Sequence, residues 1–138
     1  MSLVLDRSVT LAWLYQEETT PPVREVFSHI TRSGAWVPSL WRLEVANSLQ
    51  YSARRGRRIT SAFRDESLAD LESYFIAIDS ETDRQAWGAI LELAATSDLT
   101  LYDASYLELA IRRNLPLATL DKKLRAAAVK AGIKLIGL

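Results

Sequence analysis

Residues 99–121 read LTLYDASYLELAIRRNLPLATLD, a helix and then a strand. The helix opens near Asp103. On a 3.6-residue period Tyr106, Leu107, Ala110 and Ile111 share one side, while Ser105, Glu108 and Arg112 take the other. Asp103 falls on the apolar side. The run 115–121 is short, apolar and ends in Asp121, as a buried strand does.

Outward from this unit the same alternation repeats. SLVLD (2–6) is a strand ending in Asp6, and a helix over 8–15 follows with Ser8 as a candidate N-cap. Pro21 and Pro22 start a second helix that stops before Gly34. AWVP (35–38) is a strand. Ser39 then caps a long helix running to about Arg54. RRGRR (54–58) is a basic break. A helix follows from Thr60 to Ser73, then YFIAID (74–79) as a strand and a helix over 83–95. After the opening unit, KKLRAAAVKAG forms a helix closing at Gly132, and IKLIGL is a fifth strand. Short apolar strands alternating with helices imply a parallel sheet covered on both faces, a three-layer α/β/α sandwich.

The 138 residues are enough for one domain with its own core, spanning 1–138. There is no cysteine, which excludes disulfides, thiol nucleophiles and Cys-based zinc sites. No secretory signal or membrane-length apolar run is visible, so a soluble, cytoplasmic protein is expected. Net charge is zero but uneven. Residues 1–59 carry 8 basic and 5 acidic side chains, residues 60–103 carry 2 and 10, and residues 104–138 carry 7 and 2. Such blocks suit a metal-dependent enzyme acting on a polyanion, and equally suit solvated helix faces.

Four carboxylates stand out. Asp6 and Asp121 end strands, where open α/β sheets bind ligands. Glu44 shares a face of the Ser39 helix with Leu40, Leu43, Asn47 and Tyr51, which aims it inward. Asp103 is the fourth. Each has a simpler explanation alone: helix capping for the aspartates, a salt bridge or backbone contact for Glu44. Together they would repel unless a cation joined them, and oxygen donors of this hardness suit Mg²⁺ or Mn²⁺. Competing chemistries lack their parts. The one histidine, His29, cannot build a zinc site, and there is no GxSxG elbow and no phosphate-binding glycine loop.

LVLDRSV (3–9), LWRLEVANSL (40–49), LTLYDASYLELA (99–110) and LATLDKKL (117–124), in that order, resemble the PIN-domain family, and within it the VapC-type toxin ribonucleases. Arg7 departs from the pattern, since a small residue is usual there. The resemblance implies an Mg²⁺- or Mn²⁺-dependent endoribonuclease that is the toxin of a type II toxin–antitoxin pair. Asp6, Glu44, Asp103 and Asp121 would form the acidic, metal-holding quartet, with Ser8, Asn47 and Thr119 as supporting polar groups. It further implies an RNA substrate, a VapB-type antitoxin partner and a homodimer.

Arg54, Arg55, Arg57 and Arg58, with Lys122, Lys123 and Arg125 after Asp121, are candidates to grip RNA phosphates, or merely solvated surface. Trp41, Val45 and Leu49 form a second apolar stripe on the Ser39 helix, fit for a partner or for another helix of the same chain. Two other readings stay open: an idle PIN-like binding module, and a metal-dependent phosphatase. The phosphatase would want a second Asp where Ser8 stands.

Overall fold

The computed structural model describes residues 1–55 and 59–137, with the backbone only for 53–55. Five strands, β1 (Val4–Leu5), β2 (Ala35–Val37), β3 (Ile76–Ile78), β4 (Leu117–Ala118) and β5 (Leu135–Ile136), form one sheet in the order β3-β2-β1-β4-β5. Every pairing is parallel, with Val4 opposite Trp36 on one side and Leu117 on the other. Val4 and Leu5 point to opposite faces and both are fully buried, so the central strand is covered on each side.

The connecting helices are α1 (Arg7–Leu14), α2 (Pro21–Ser33), α3 (Trp41–Arg55), α4 (Ser61–Glu72), α5 (Thr82–Gln85), α6 (Ala89–Ser97), α7 (Leu101–Arg113) and α8 (Lys122–Lys130). No helix among the described residues is long and apolar enough to cross a membrane. The chain builds outward from β1 to β2 and β3, then returns to lay β4 on the other side of β1. The strand order therefore reverses between β1 and β4. In open α/β sheets the crevice outside the carboxyl ends of two such strands is where ligands bind.

Local signals explain most element ends. Thr20 caps α2 by accepting from the Val23 amide, with Pro21 and Pro22 in its first turn. Gly34 closes α2 at φ 72°, where a Cβ would stand 2.9 Å from the Phe75 carbonyl oxygen. Thr60 and Thr100 cap α4 and α7 in the same manner as Thr20. Asn114, left-handed at φ 54°, ends α7.

Several expectations need correction. The helix expected over 83–95 is two, α5 and α6, broken at Gly88, whose φ −113° and ψ −105° are not helical. Ser8 is not the N-cap of α1. Asp6 holds that position and Ser8 lies inside the first turn. Ser39 precedes α3 without capping it, and its hydroxyl donates to Asp83.

Helix α7 has no polar side of the expected kind. Ser105 and Glu108 are buried with Tyr106, Leu107 and Ala110, and Ile111 is exposed. The cause is packing on several sides: α7 meets α6, α8, β1 and β4, so a one-face wheel misjudges it. On α3 the stripe Trp41, Val45 and Leu49 is core. The Leu43, Asn47 and Tyr51 positions face outward, with Leu43 76% exposed.

Candidate active site

Asp6 sits where β1 ends, buried to 4% exposure. Its Oδ2 accepts from the hydroxyls of Ser8 and Thr119, each at 2.7 Å. Both hydroxyl protons are thereby used, and each oxygen in turn accepts a backbone amide of the segment after β4: Leu120 on Ser8 at 2.9 Å, Asp121 on Thr119 at 3.1 Å. The ends of β1 and β4 are thus joined through one carboxylate. Thr10 donates to the Asp6 carbonyl, and the Trp41 indole N–H donates to Thr10, which fixes α3 against the same corner.

Glu44 projects from α3 toward this corner. Its Oε1 accepts from the Tyr106 hydroxyl at 2.5 Å, and its Oε2 lies 3.4 Å from an Arg7 guanidinium nitrogen. Asp103 stands in the first turn of α7. The cap there is Thr100, which accepts from the Asp103 amide and whose hydroxyl also favours the charged Asp103 carboxylate. Asp121 does cap: its Oδ1 accepts from the Leu124 amide at 2.9 Å and starts α8.

Electrostatics ties the four acids together. Burial raises Asp6 above the ordinary aspartate value, against the hydroxyls of Thr119 and Ser8, the Arg7 amide and the Arg7 charge. Glu44 is raised by burial and then by the charges of Asp6 and Asp103, with Tyr106 and Arg7 opposing. Asp103 is raised by burial and then by Asp6 and Asp121, again opposed by Arg7. Tyr106 is wholly buried and held protonated by that burial and by Asp6 and Glu44, so it serves as a donor. Carboxylates held in a partly dry crevice, two of them raised further by a neighbour's charge, are the condition a cation relieves.

The donors are the hard oxygen type that Mg²⁺ and Mn²⁺ take, and in charge they fit such an ion. In position they are not gathered: among the described residues no three His, Cys, Asp or Glu side chains form a group able to hold a metal ion. The contacts above say why. Asp121 is engaged on α8, and Glu44 is shared between Tyr106 and Arg7.

Of the other residues singled out, Asn47 is exposed on α3 one turn beyond Glu44. Lys122 and Lys123 are exposed in the first turn of α8, and Lys123 pairs with Asp98 at 3.4 Å. Arg125 turns back to donate to the Thr119 carbonyl at 2.6 Å. Arg57 and Arg58, and the side chains of Arg54 and Arg55, lie outside the described residues.

Sequence reasoning missed two members of this corner. Tyr106 was assigned to the core alone, although a phenol three residues after Asp103 shares its side of the helix. Arg7 was noted only as a departure. It also missed a second ionic cluster. Asp79, fully buried after β3, is held bidentately by Arg112 at 2.7 and 3.1 Å and by Thr82 at 2.9 Å. Arg112 also grips buried Glu108, and Arg113 lies over the Trp36 ring, 3.5 Å from its centroid. Charges balance within this group, which clamps α7 to the end of β3.

The sequence profile of the PIN domain family matches residues 3–130 of this chain. The crystal structure of PAE2754 from Pyrobaculum aerophilum is similar in fold, with a TM-score of 0.68, 24% identity, and coverage of 92% of this chain and 84% of that one. At that identity the likeness bears on the fold. No curated protein sequence matches the chain.

Proposed function

The chain belongs to the PIN-domain family, and on that premise we propose that it is a divalent-metal-dependent endoribonuclease acting as the toxin of a type II toxin–antitoxin pair. The PIN domain itself points to a nuclease-type function, a hydrolase acting on nucleic acid. The observation that carries the finer reading is the placing of Asp6, raised by burial, beside Glu44 and Asp103, which burial and the charge of Asp6 both raise, with Asp121 also acting on Asp103, in the crevice where the strand order reverses. Acids placed there, with Arg7 the one cation in contact with them among the described residues, suit a site for Mg²⁺ or Mn²⁺.

Asp6, Glu44, Asp103 and Asp121 would hold the ion. It supplies Lewis acidity for hydrolysis of a phosphodiester and offsets charge on the phosphate. The chain's own residues do the positioning. Ser8 and Thr119 fix the Asp6 carboxylate by two hydrogen bonds. Tyr106 fixes Glu44. The buried walls around Asp6 and Tyr106 limit water on the inner side, which strengthens every charge interaction there.

RNA as substrate, a VapB-type antitoxin as inhibitor, a homodimer and a cytoplasmic site of action complete the proposal. They rest on the likeness of the four sequence stretches to VapC-type toxins. The test is incubation of the antitoxin-free protein with total cellular RNA in Mg²⁺, in Mn²⁺ and in EDTA, beside Asp103→Asn. Discrete fragments that require both metal and Asp103 support the proposal. A folded protein that cuts nothing in any condition favours an idle binding module. Release of phosphate from a small phosphomonoester, without RNA cleavage, favours a phosphatase.

A further inference from the structure

Among the described residues, the cation that reaches Glu44 in the acidic crevice is Arg7, directly after Asp6 in sequence and first in α1. Its backbone amide bonds the Asp6 carboxylate, while its guanidinium crosses to Glu44 on α3. Its charge opposes the raising of Asp6, Glu44 and Asp103, and Glu44 is the one of these its guanidinium is seen to contact.

The hold on Glu44 is loose. At 3.4 Å it exceeds the usual ~2.7–2.9 Å of a charge-assisted bond, and it uses one nitrogen. The Arg7 side chain is 43% exposed against 15% for Glu44. Arg112 shows what a fixed arginine looks like in this chain: two bonds to Asp79 and two to Glu108, none beyond 3.1 Å. A single charge on a mobile stem cannot neutralise several carboxylates, and a doubly charged ion drawing on Glu44 would compete for the same oxygen.

We propose that Arg7 is a tethered counterion: its guanidinium holds Glu44 in the ion-free protein and gives Glu44 up when a divalent cation binds. Glu44 keeps its short bond to Tyr106 throughout and turns only the oxygen that faces Arg7. The inference rests on the crevice being a metal site, and it assigns Arg7 the part of setting how tightly that site takes its ion.

The test is calorimetric titration of MnCl₂ into the EDTA-stripped full chain, as wild type, Arg7→Gln, Arg7→Lys, Glu44→Gln and the Arg7→Gln/Glu44→Gln pair. Arg7→Gln is expected to tighten Mn²⁺ binding about fivefold, the scale of a partly exposed ion pair. The gain should shrink by at least half in the Glu44→Gln background. Arg7→Lys, which keeps the charge, should stay within about twofold of wild type and serves if Arg7→Gln does not fold. Binding by Arg7→Gln alone, with none by wild type, would support the same conclusion more strongly. If wild type binds and Arg7→Gln binds no tighter, the Arg7 assignment is overturned while the metal site stands. If no variant binds Mn²⁺, the metal-site reading fails and this inference with it.

Discussion

The Thr119 hydroxyl, just past β4, donates to Oδ2 of Asp6, just past β1, at 2.7 Å and across 113 positions of sequence. Thr119 is fully buried and Asp6 nearly so. Thr119→Val keeps the shape and removes the donor. It should lower unfolding stability by about 1.5–3 kcal/mol, the scale of a hydrogen bond to a charged group. Urea denaturation of the two proteins measures the difference, and a loss below about 0.5 kcal/mol would mean that Ser8 alone satisfies the carboxylate.

Tyr106→Phe deletes only the hydroxyl that bonds Glu44. RNA cleavage should fall about 10- to 100-fold, as it does when a partner that orients a ligand is lost. Far-UV circular dichroism should not change. Wild-type cleavage rates in this mutant would show that Glu44 does not depend on the phenol for its position.

The ion-free protein should grow less stable as pH rises from mildly acidic to neutral. Asp6, Glu44 and Asp103 have folded values above their ordinary 3.8, 4.5 and 3.8. In the window between ordinary and raised values the native state binds more protons than the unfolded state, so stability drops with rising pH. Asp79 acts in the opposite sense. Burial disfavours its charge, but Arg112 and Thr82 outweigh that and lower it, so its contribution is present above pH 3.8 and lost below. Melting curves in EDTA should therefore peak in the acidic range, and Asp6→Asn should flatten the neutral side. A melting temperature that climbs steadily to neutral pH would contradict the raised values.

Asp79→Asn leaves Arg112 and Arg113 without the buried negative charge they share and with only one of its two acceptor oxygens. Removing one partner of a buried pair costs roughly 3–5 kcal/mol, and Glu108 still holds Arg112, so about 3 kcal/mol is expected. Equilibrium unfolding tests this. A near-neutral result would show that Thr82 and the asparagine amide replace the clamp.

How far the sequence disclosed this arrangement depended on how local each signal was. The sheet was legible because each strand is a short apolar run between helix signals, and the Pro21 start and Gly34 stop of α2 are written within the element itself. Asp6 and Asp121 could be set at strand ends for the same reason. Glu108 could not be judged, because what makes its burial tolerable is Arg112 held by Asp79, and Asp79 belongs to another strand's end. The face of α3 stayed open because both stripes are apolar enough to be core, and Trp41, Val45 and Leu49 suited a partner or another helix of the same chain. Only the packing partners show that Trp41, Val45 and Leu49 go inside while Leu43 stays out. Gly88 broke a helix that composition alone would have carried through. The role of Arg7 needed Glu44, 37 positions away, to be visible.

The return of the chain to lay β4 beside β1 has a consequence in time. During synthesis Asp6 emerges before the hydroxyl and amides that complete its surroundings, which arrive only with residues 119–121. Until β4 docks, Asp6 lacks the Thr119 hydroxyl, and Asp121 is not there to act on Asp103. A ribosome-bound fragment short of β4 therefore carries Asp6, Glu44 and Asp103 without the segment that completes the crevice. The order of the strands delays any activity of that crevice until residues 119–121 have been made.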